Sequence, residues 1–210
     1  MASCGRRSCH PVPRLLLPLI AVACYALGAV WLAVATYQHR SEPLSARGRG
    51  GRIAAVAIAC VGTVVHAAAL MQERRLAPDA ALSLGDTLAL VALVIAITAI
   101  LTALRPGKRG VAAVLLLIAA VLEAAFSEGT RQFATDHRGW ELAFHVAMAT
   151  TAFAFLTIGM VLAIAQVIVS HRLRSRQPLG WLQILTPIES LESGCFQSIL
   201  AGFAVLTLAL

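Results

Sequence analysis

The chain alternates between long apolar stretches and short segments that carry nearly all of its charged residues. Six apolar stretches are candidates for membrane helices, which need about 20 apolar residues at about 1.5 Å each. They cover about residues 15–37, 53–71, 82–104, 111–126, 141–170 and 196–210. The pattern therefore predicts an all-α fold, a polytopic transmembrane bundle of about six helices that forms a single domain over residues 1–210.

Three of these stretches depart from the ideal length. The fourth, at 111–126, is short and spans a bilayer only with help from its polar flanks, whereas the fifth, at 141–170, must tilt or protrude. The sixth is still apolar at Leu210, with no closing charge or aromatic anchor. We expect the natural protein to continue beyond this residue; the alternative is a short terminal helix that ends in the outer interface.

The first stretch follows three arginines, as the apolar part of a secretory signal peptide also does. Its apolar run exceeds 20 residues, however, and the corresponding region of a signal peptide has about 7–15. We therefore expect the first helix to be retained, although Ala33–Ala35 resembles a cleavage site.

Composition supports the membrane assignment. The chain is 59% hydrophobic and 13% charged, whereas a soluble domain is about half apolar and about a quarter charged. The net charge of +7 is then explained by cytoplasmic loops beside an anionic leaflet, rather than by a nucleic-acid partner. The expected partner is membrane lipid.

The basic residues favour one orientation. The loops after the first, third and fifth helices hold ten basic residues and the opposite side holds seven. The ten are Arg40, Arg47, Arg49, Arg52, Arg105, Lys108, Arg109, Arg172, Arg174 and Arg176. The positive-inside rule then places the N-terminus outside and the long loop 171–195 in the cytoplasm.

Four ionisable residues lie within the predicted helices. They are His66, Asp86, Glu123 and His145, and in the predicted orientation all four fall in the outer half of the membrane. His66 and His145 lie about five and about four residues from the outer ends of their helices, which places them on the order of 6–8 Å deep. Intramembrane ionisable residues usually face the bundle interior and have a function.

This arrangement suits a haem site. Imidazole is an axial ligand of haem iron, so His66 and His145 are candidate ligands from two helices. Asp86 or Glu123 is suited to orient a ring or offset charge, and Trp140 is suited to form a flat wall for a porphyrin. The simpler alternatives are a histidine bonded to a carbonyl or water, an aspartate that caps a helix, a glutamate in the interface and a tryptophan in the interfacial belt.

The second half of the chain resembles a known family. The stretch WELAFHV at 140–146 is similar to a helix start in cytochrome c assembly membrane proteins of the CcsA/ResC group and their HemX and YpjD relatives. Further similar features follow in family order: Gln166, the basic stretch 171–176, LTPIESLE at 185–192 and AGFAVLTL at 201–208. In the second helix, Val65–Ala67 resembles a Leu-His-Ala motif of the YpjD-like branch.

The resemblance implies a haem-handling protein of the bacterial inner membrane. Members of the CcsA group present haem at the outer face for attachment to apocytochrome c, and His145 matches one of their haem-ligating histidines. The implied partners are apocytochrome c and other biogenesis proteins, and the implied role is haem delivery without bond-breaking chemistry of its own. The tryptophan-rich segment of that group does not occur before Leu210, while Val65–Ala67 and residues 187–192 favour the HemX/YpjD branch.

Two other functional classes remain open at this point. The first is a transporter, or transporter subunit, for a small cation or metabolite, in which the same four ionisable residues line a polar cavity. The second is a scaffold that only holds partners.

Overall fold

The computed structural model describes residues 12–41, 46–76, 84–105, 108–126, 140–176 and 188–209. Those residues form six helices: α1 (Val12–Ser41), α2 (Ala46–Leu76), α3 (Leu84–Leu104), α4 (Arg109–Phe126), α5 (Trp140–Arg174) and α6 (Ile188–Ala209). Within these ranges the fold is all-helical and has no strand, which confirms the predicted fold class. Five of the helices, all but α4, are long and apolar enough to cross a membrane, so the chain is a multi-pass membrane protein.

Most of the helices extend beyond the apolar stretches that predicted them. α2 was predicted at 53–71 but runs from Ala46 to Leu76, because helical hydrogen bonding continues from the apolar segment into its polar flanks. α1 extends beyond 15–37 in the same way, at both ends. α3 is the exception, since it begins at Leu84 rather than at 82.

The largest difference concerns the predicted loop 171–195, whose bounds were wrong at both ends. α5 continues to Arg174, and α6 begins at Ile188 rather than at 196. The early start has a physical reason in Glu189, which lies in the first turn of α6, where a carboxylate interacts favourably with the helix dipole. Residues 177–187 of the predicted loop lie outside the described ranges.

Small side chains determine how the helices pack. α1 packs along both α2 and α4, α4 packs along α3, and α5 packs along α6 while also contacting α3. Most of the fully buried side chains on these helices are alanines. In a membrane, small residues at the interfaces let helix backbones approach closely. Many large apolar side chains instead face outward, as Leu200 does at 73% exposure, and this suits contact with lipid.

Several threonines within the helices form local hydrogen bonds, and Thr63 also hydrogen-bonds to Tyr25 on α1. Thr36, Thr63, Thr98 and Thr150 each donate a hydrogen bond to the carbonyl oxygen four residues earlier on the same helix. This local bond satisfies the hydroxyl inside an apolar segment. The polar groups that need partners on other helices are therefore mainly ionisable or phenolic.

Candidate functional site

One face of α2 carries small residues that let His66 approach α1. Ala55, Ala59, Gly62 and His66 recur at intervals of three or four residues and are all buried, so they form one stripe along the helix. At Gly62 a Cβ atom would lie 2.7 Å from the Cβ of Cys24 on α1. Because glycine has no side chain, the two backbones approach closely one turn before His66.

His66 contacts polar side chains on two other helices. Its Nδ1 atom lies 3.2 Å from the hydroxyl oxygen of Tyr25 on α1, and its Nε2 atom lies 2.9 Å from Oε2 of Glu123 on α4. Within the described residues, neither Nε2 nor Oε2 has another hydrogen-bond partner. We call Tyr25, His66 and Glu123 the buried cluster.

The buried cluster is enclosed by apolar side chains. Tyr25 and His66 are 0% exposed and Glu123 is 3% exposed. α4 presents Glu123 on the face that also carries the buried residues Leu116, Ala119 and Ala120. Since a buried charge without a partner is strongly destabilising, the contact between His66 and Glu123 is what allows both groups to lie inside the bundle.

His145 has a different environment on α5. Its side chain is exposed, and its Nδ1 atom lies 2.7 Å from the carbonyl oxygen of Ala209 at the end of α6. A carbonyl oxygen only accepts, so Nδ1 carries the proton and donates it. The lone pair of the neutral ring then lies on Nε2, and this is the arrangement that histidine ligands of metals usually adopt.

The structure therefore groups the predicted site residues in a way that the sequence did not show. It brings His66 together with Glu123, whereas His145 contacts α6. The two histidines therefore lie in different parts of the bundle, His66 against α1 and α4 and His145 against α6.

Asp86 and Trp140 both lie at helix starts. Asp86 is half-buried in the first turn of α3, where a carboxylate interacts favourably with the helix dipole. Trp140 is the first residue of α5, and its side chain lies outside the described part of the chain. The proposed porphyrin wall at Trp140 therefore stays a prediction.

Comparison with known families agrees with the helical architecture. The family model described as cytochrome C assembly protein matches residues 16–210, nearly the whole chain. The chain belongs to the cytochrome c assembly protein family. A search of curated proteins and a search of solved structures each found no match. The family supports a role in cytochrome c biogenesis and is associated with haem handling.

A bare metal ion would need several side chains of this cytochrome c assembly protein as ligands. Among the residues that the structure describes, no three or more His, Cys, Asp or Glu side chains are placed to hold one. Haem requires less from the protein, since the porphyrin supplies four ligands and the protein adds one or two axial ligands. A single exposed imidazole such as His145 is therefore compatible with a haem site.

Tyr25 is the member of the buried cluster that sequence reasoning missed. It lies in the middle of an apolar helix and is one of only two tyrosines in the chain. A buried tyrosine hydroxyl usually has a hydrogen-bond partner. A tyrosine far from the membrane interface was therefore a signal that α1 contributes a polar contact, and it should have been considered with His66.

Proposed function

We propose that this protein handles haem during cytochrome c biogenesis and binds it through His145 as an axial ligand. The observation that supports this assignment is the 2.7 Å contact from Nδ1 of His145 to the Ala209 carbonyl oxygen. That contact fixes the tautomer and holds the ring, while Nε2 keeps its lone pair on an exposed side chain. Haem is the cargo in this proposal, and the iron is the atom that Nε2 would bind.

His66 is not part of the proposed haem site. Both of its ring nitrogens contact protein groups, and the residue is fully buried. Iron would reach Nε2 only after Glu123 had moved away. The sequence suggested that Glu123 could orient a haem-ligating histidine. Because Glu123 contacts His66, it does not have this role for His145 in the proposal.

The proposed location is the outer boundary of the bacterial inner membrane. The charge distribution favours an external N-terminus. With α4 also crossing the membrane with help from its polar flanks, the start of α5, and His145 with it, lies on the outer side. Haem held there would be accessible to apocytochrome c and to other biogenesis proteins, which are the proposed partners. Family membership does not favour the transporter alternative.

The test compares two histidines on the same helix. The full chain is purified, haem is titrated, and the Soret band is followed for the wild type, His145→Ala and His171→Ala. His171 is exposed near the end of α5, outside the proposed site, and serves as the matched control. Loss of a residue that only supports a metal ligand lowers affinity by about 10–100-fold. We expect His145→Ala to lower the affinity for haem by more than this, and we expect His171→Ala to bind haem as the wild type does.

An unchanged Soret band and affinity in His145→Ala would refute the ligand assignment. Equal losses in the two variants would also count against it, because they would indicate non-specific binding of haem to exposed imidazoles.

A further inference from the structure

The buried cluster has a chemistry that haem binding at His145 does not use. It combines a carboxyl group, an imidazole and a phenol on α4, α2 and α1, and all three are enclosed in the bundle. An ionisable group inside the membrane is costly and usually has a functional role. The following inference does not depend on the proposed haem site.

No described cation other than His66 is placed to neutralise Glu123. Arg109 is fourteen residues away along α4, and Arg52 is fourteen residues from His66 along α2, which is about 21 Å in each case. Arg75 is exposed nine residues beyond His66, about 13 Å along the helix. The described part of α1 from Leu16 to Tyr37 has no charged side chain.

Besides Arg75, the described titratable groups near this end of the bundle are of the acidic type. Cys24 is close enough to Tyr25 to interact with it electrostatically, and Asp86 lies in the first turn of α3. Glu73 is exposed, seven residues beyond His66. Among the residues that the structure describes, a proton shared with His66 is therefore the means by which a negative charge on Glu123 is offset.

We propose that the buried cluster is a proton-binding site that holds one proton between Glu123 and His66. The proton has two arrangements with zero net charge. In the first, an imidazolium donates from Nε2 to the carboxylate; in the second, the protonated carboxyl group donates to Nε2 of a neutral ring. In both arrangements Nδ1 carries a hydrogen and donates it to the hydroxyl oxygen of Tyr25, 3.2 Å away.

Loss of this proton reverses the contact with Tyr25. The ring then donates from Nε2 to a carboxylate, Nδ1 has no hydrogen, and the hydroxyl of Tyr25 must donate to Nδ1. The cluster would carry one negative charge in an apolar enclosure, which is strongly unfavourable. Enclosure of the cluster by α1, α2 and α4 therefore favours the form that holds the proton.

The proton on Nδ1 is directly measurable. Solid-state NMR on the full chain in lipid, with ¹⁵N-labelled histidine and ¹³C-labelled tyrosine, identifies His66 by its proximity to the Tyr25 ring. The two ring centroids are 5.9 Å apart, so the wild type can be assigned without any substitution. We expect Nδ1 of His66 to be protonated at neutral pH.

A conservative substitution changes the expected state. In Glu123→Gln the amide either accepts from Nε2–H or donates to an unprotonated Nε2, and no carboxylate needs neutralising. We therefore expect the His66 ring of this variant to be neutral, with a hydrogen on only one of its two nitrogens. Glu192→Gln, at an exposed position on α6, is the matched control and should leave the His66 signals unchanged.

An unprotonated Nδ1 in the wild type at neutral pH would overturn the proposal. A His66 ring that carries hydrogens on both nitrogens in a folded Glu123→Gln variant would also overturn it, because the extra proton would then not depend on the carboxyl group. The wild-type measurement decides the question by itself if Glu123→Gln does not fold.

Discussion

His66 and His145 show how the same side chain acquires different chemistry from its contacts. His66 is fully buried, with a protein group opposite each ring nitrogen. His145 is exposed, and within the described part of the chain its Nδ1 atom contacts the Ala209 carbonyl oxygen. The first environment suits proton sharing, and the second suits metal ligation through Nε2.

The contact between His66 and Glu123 leads to a prediction about stability. His66→Leu removes the partner that a nearly fully buried carboxyl oxygen has among the described residues. We expect this substitution to lower the free energy of unfolding by about 3–5 kcal/mol, the cost of breaking one side of a buried pair. Thermal denaturation of the protein in detergent would measure the change.

The double variant His66→Leu/Glu123→Leu tests whether the loss comes from the orphaned carboxyl group. Replacing both members of a buried pair by apolar residues is often close to neutral, so we expect most of the stability to return. If the losses in free energy of unfolding that His66→Leu and Glu123→Leu cause separately add up in the double variant, the two residues do not act as a pair.

At the level of the helices, close approach depends on particular glycines. In Gly62→Ala the new Cβ would lie 2.7 Å from the Cβ of Cys24, an atom attached directly to the backbone of α1. The helices have to separate, and overpacking of this kind costs about 1–3 kcal/mol. Denaturation of Gly62→Ala beside the wild type would show the loss.

Gly50→Ala is the matched control on the same helix. No atom lies within 4 Å of a Cβ built at Gly50, so we expect no loss and a gain of at most about 1 kcal/mol from better helix propensity. A loss in Gly50→Ala as large as that in Gly62→Ala would mean that helix separation is not the cause.

Gly159→Ala, on α5, tests whether the nature of the neighbouring atom matters. There the new Cβ would lie 2.9 Å from Cγ1 of Ile199, a side-chain atom that can move when its rotamer changes. We therefore expect a smaller loss of stability than in Gly62→Ala, measured by the same denaturation assay. A larger loss would indicate that α5 and α6 cannot adjust.

Hydrophobic patterning predicted the existence of each helix better than its ends. The apolar stretches identified all six helices, because backbone groups in lipid must hydrogen-bond within their own helix. The end points include polar residues, such as Glu189 in the first turn of α6, that a hydropathy pattern does not assign to a membrane helix. For this reason the predicted start of α6 at 196 was eight residues late.

In the whole molecule, the buried cluster and His145 belong to different groups of helices. The cluster joins α1, α2 and α4, whereas His145 lies where α5 meets α6. The two groups are connected mainly through α3, which contacts α2, α4 and α5. Substitutions that are distant and share no partners usually have independent effects.

This separation predicts that the two sites act independently. If His145 binds haem as proposed, the stable double variant His66→Leu/Glu123→Leu should bind haem within about twofold of the wild type, the range expected for independent sites. Soret titration of the two proteins would measure it. A large loss of affinity in the folded double variant would show that His66 belongs to the haem site.

The sequence by itself determined that this is a multi-pass helical membrane protein, because long apolar runs have no other stable arrangement in lipid. Its motifs also indicated the family that the comparison then confirmed. The partners of the ionisable residues were decided only by the tertiary structure. A hydropathy pattern specifies depth along a helix but not which way a side chain points or which helices are neighbours. Close packing of α1 between α2 and α4 brought Tyr25 and Glu123 to His66, and the antiparallel pairing of α5 and α6 brought the Ala209 carbonyl to His145.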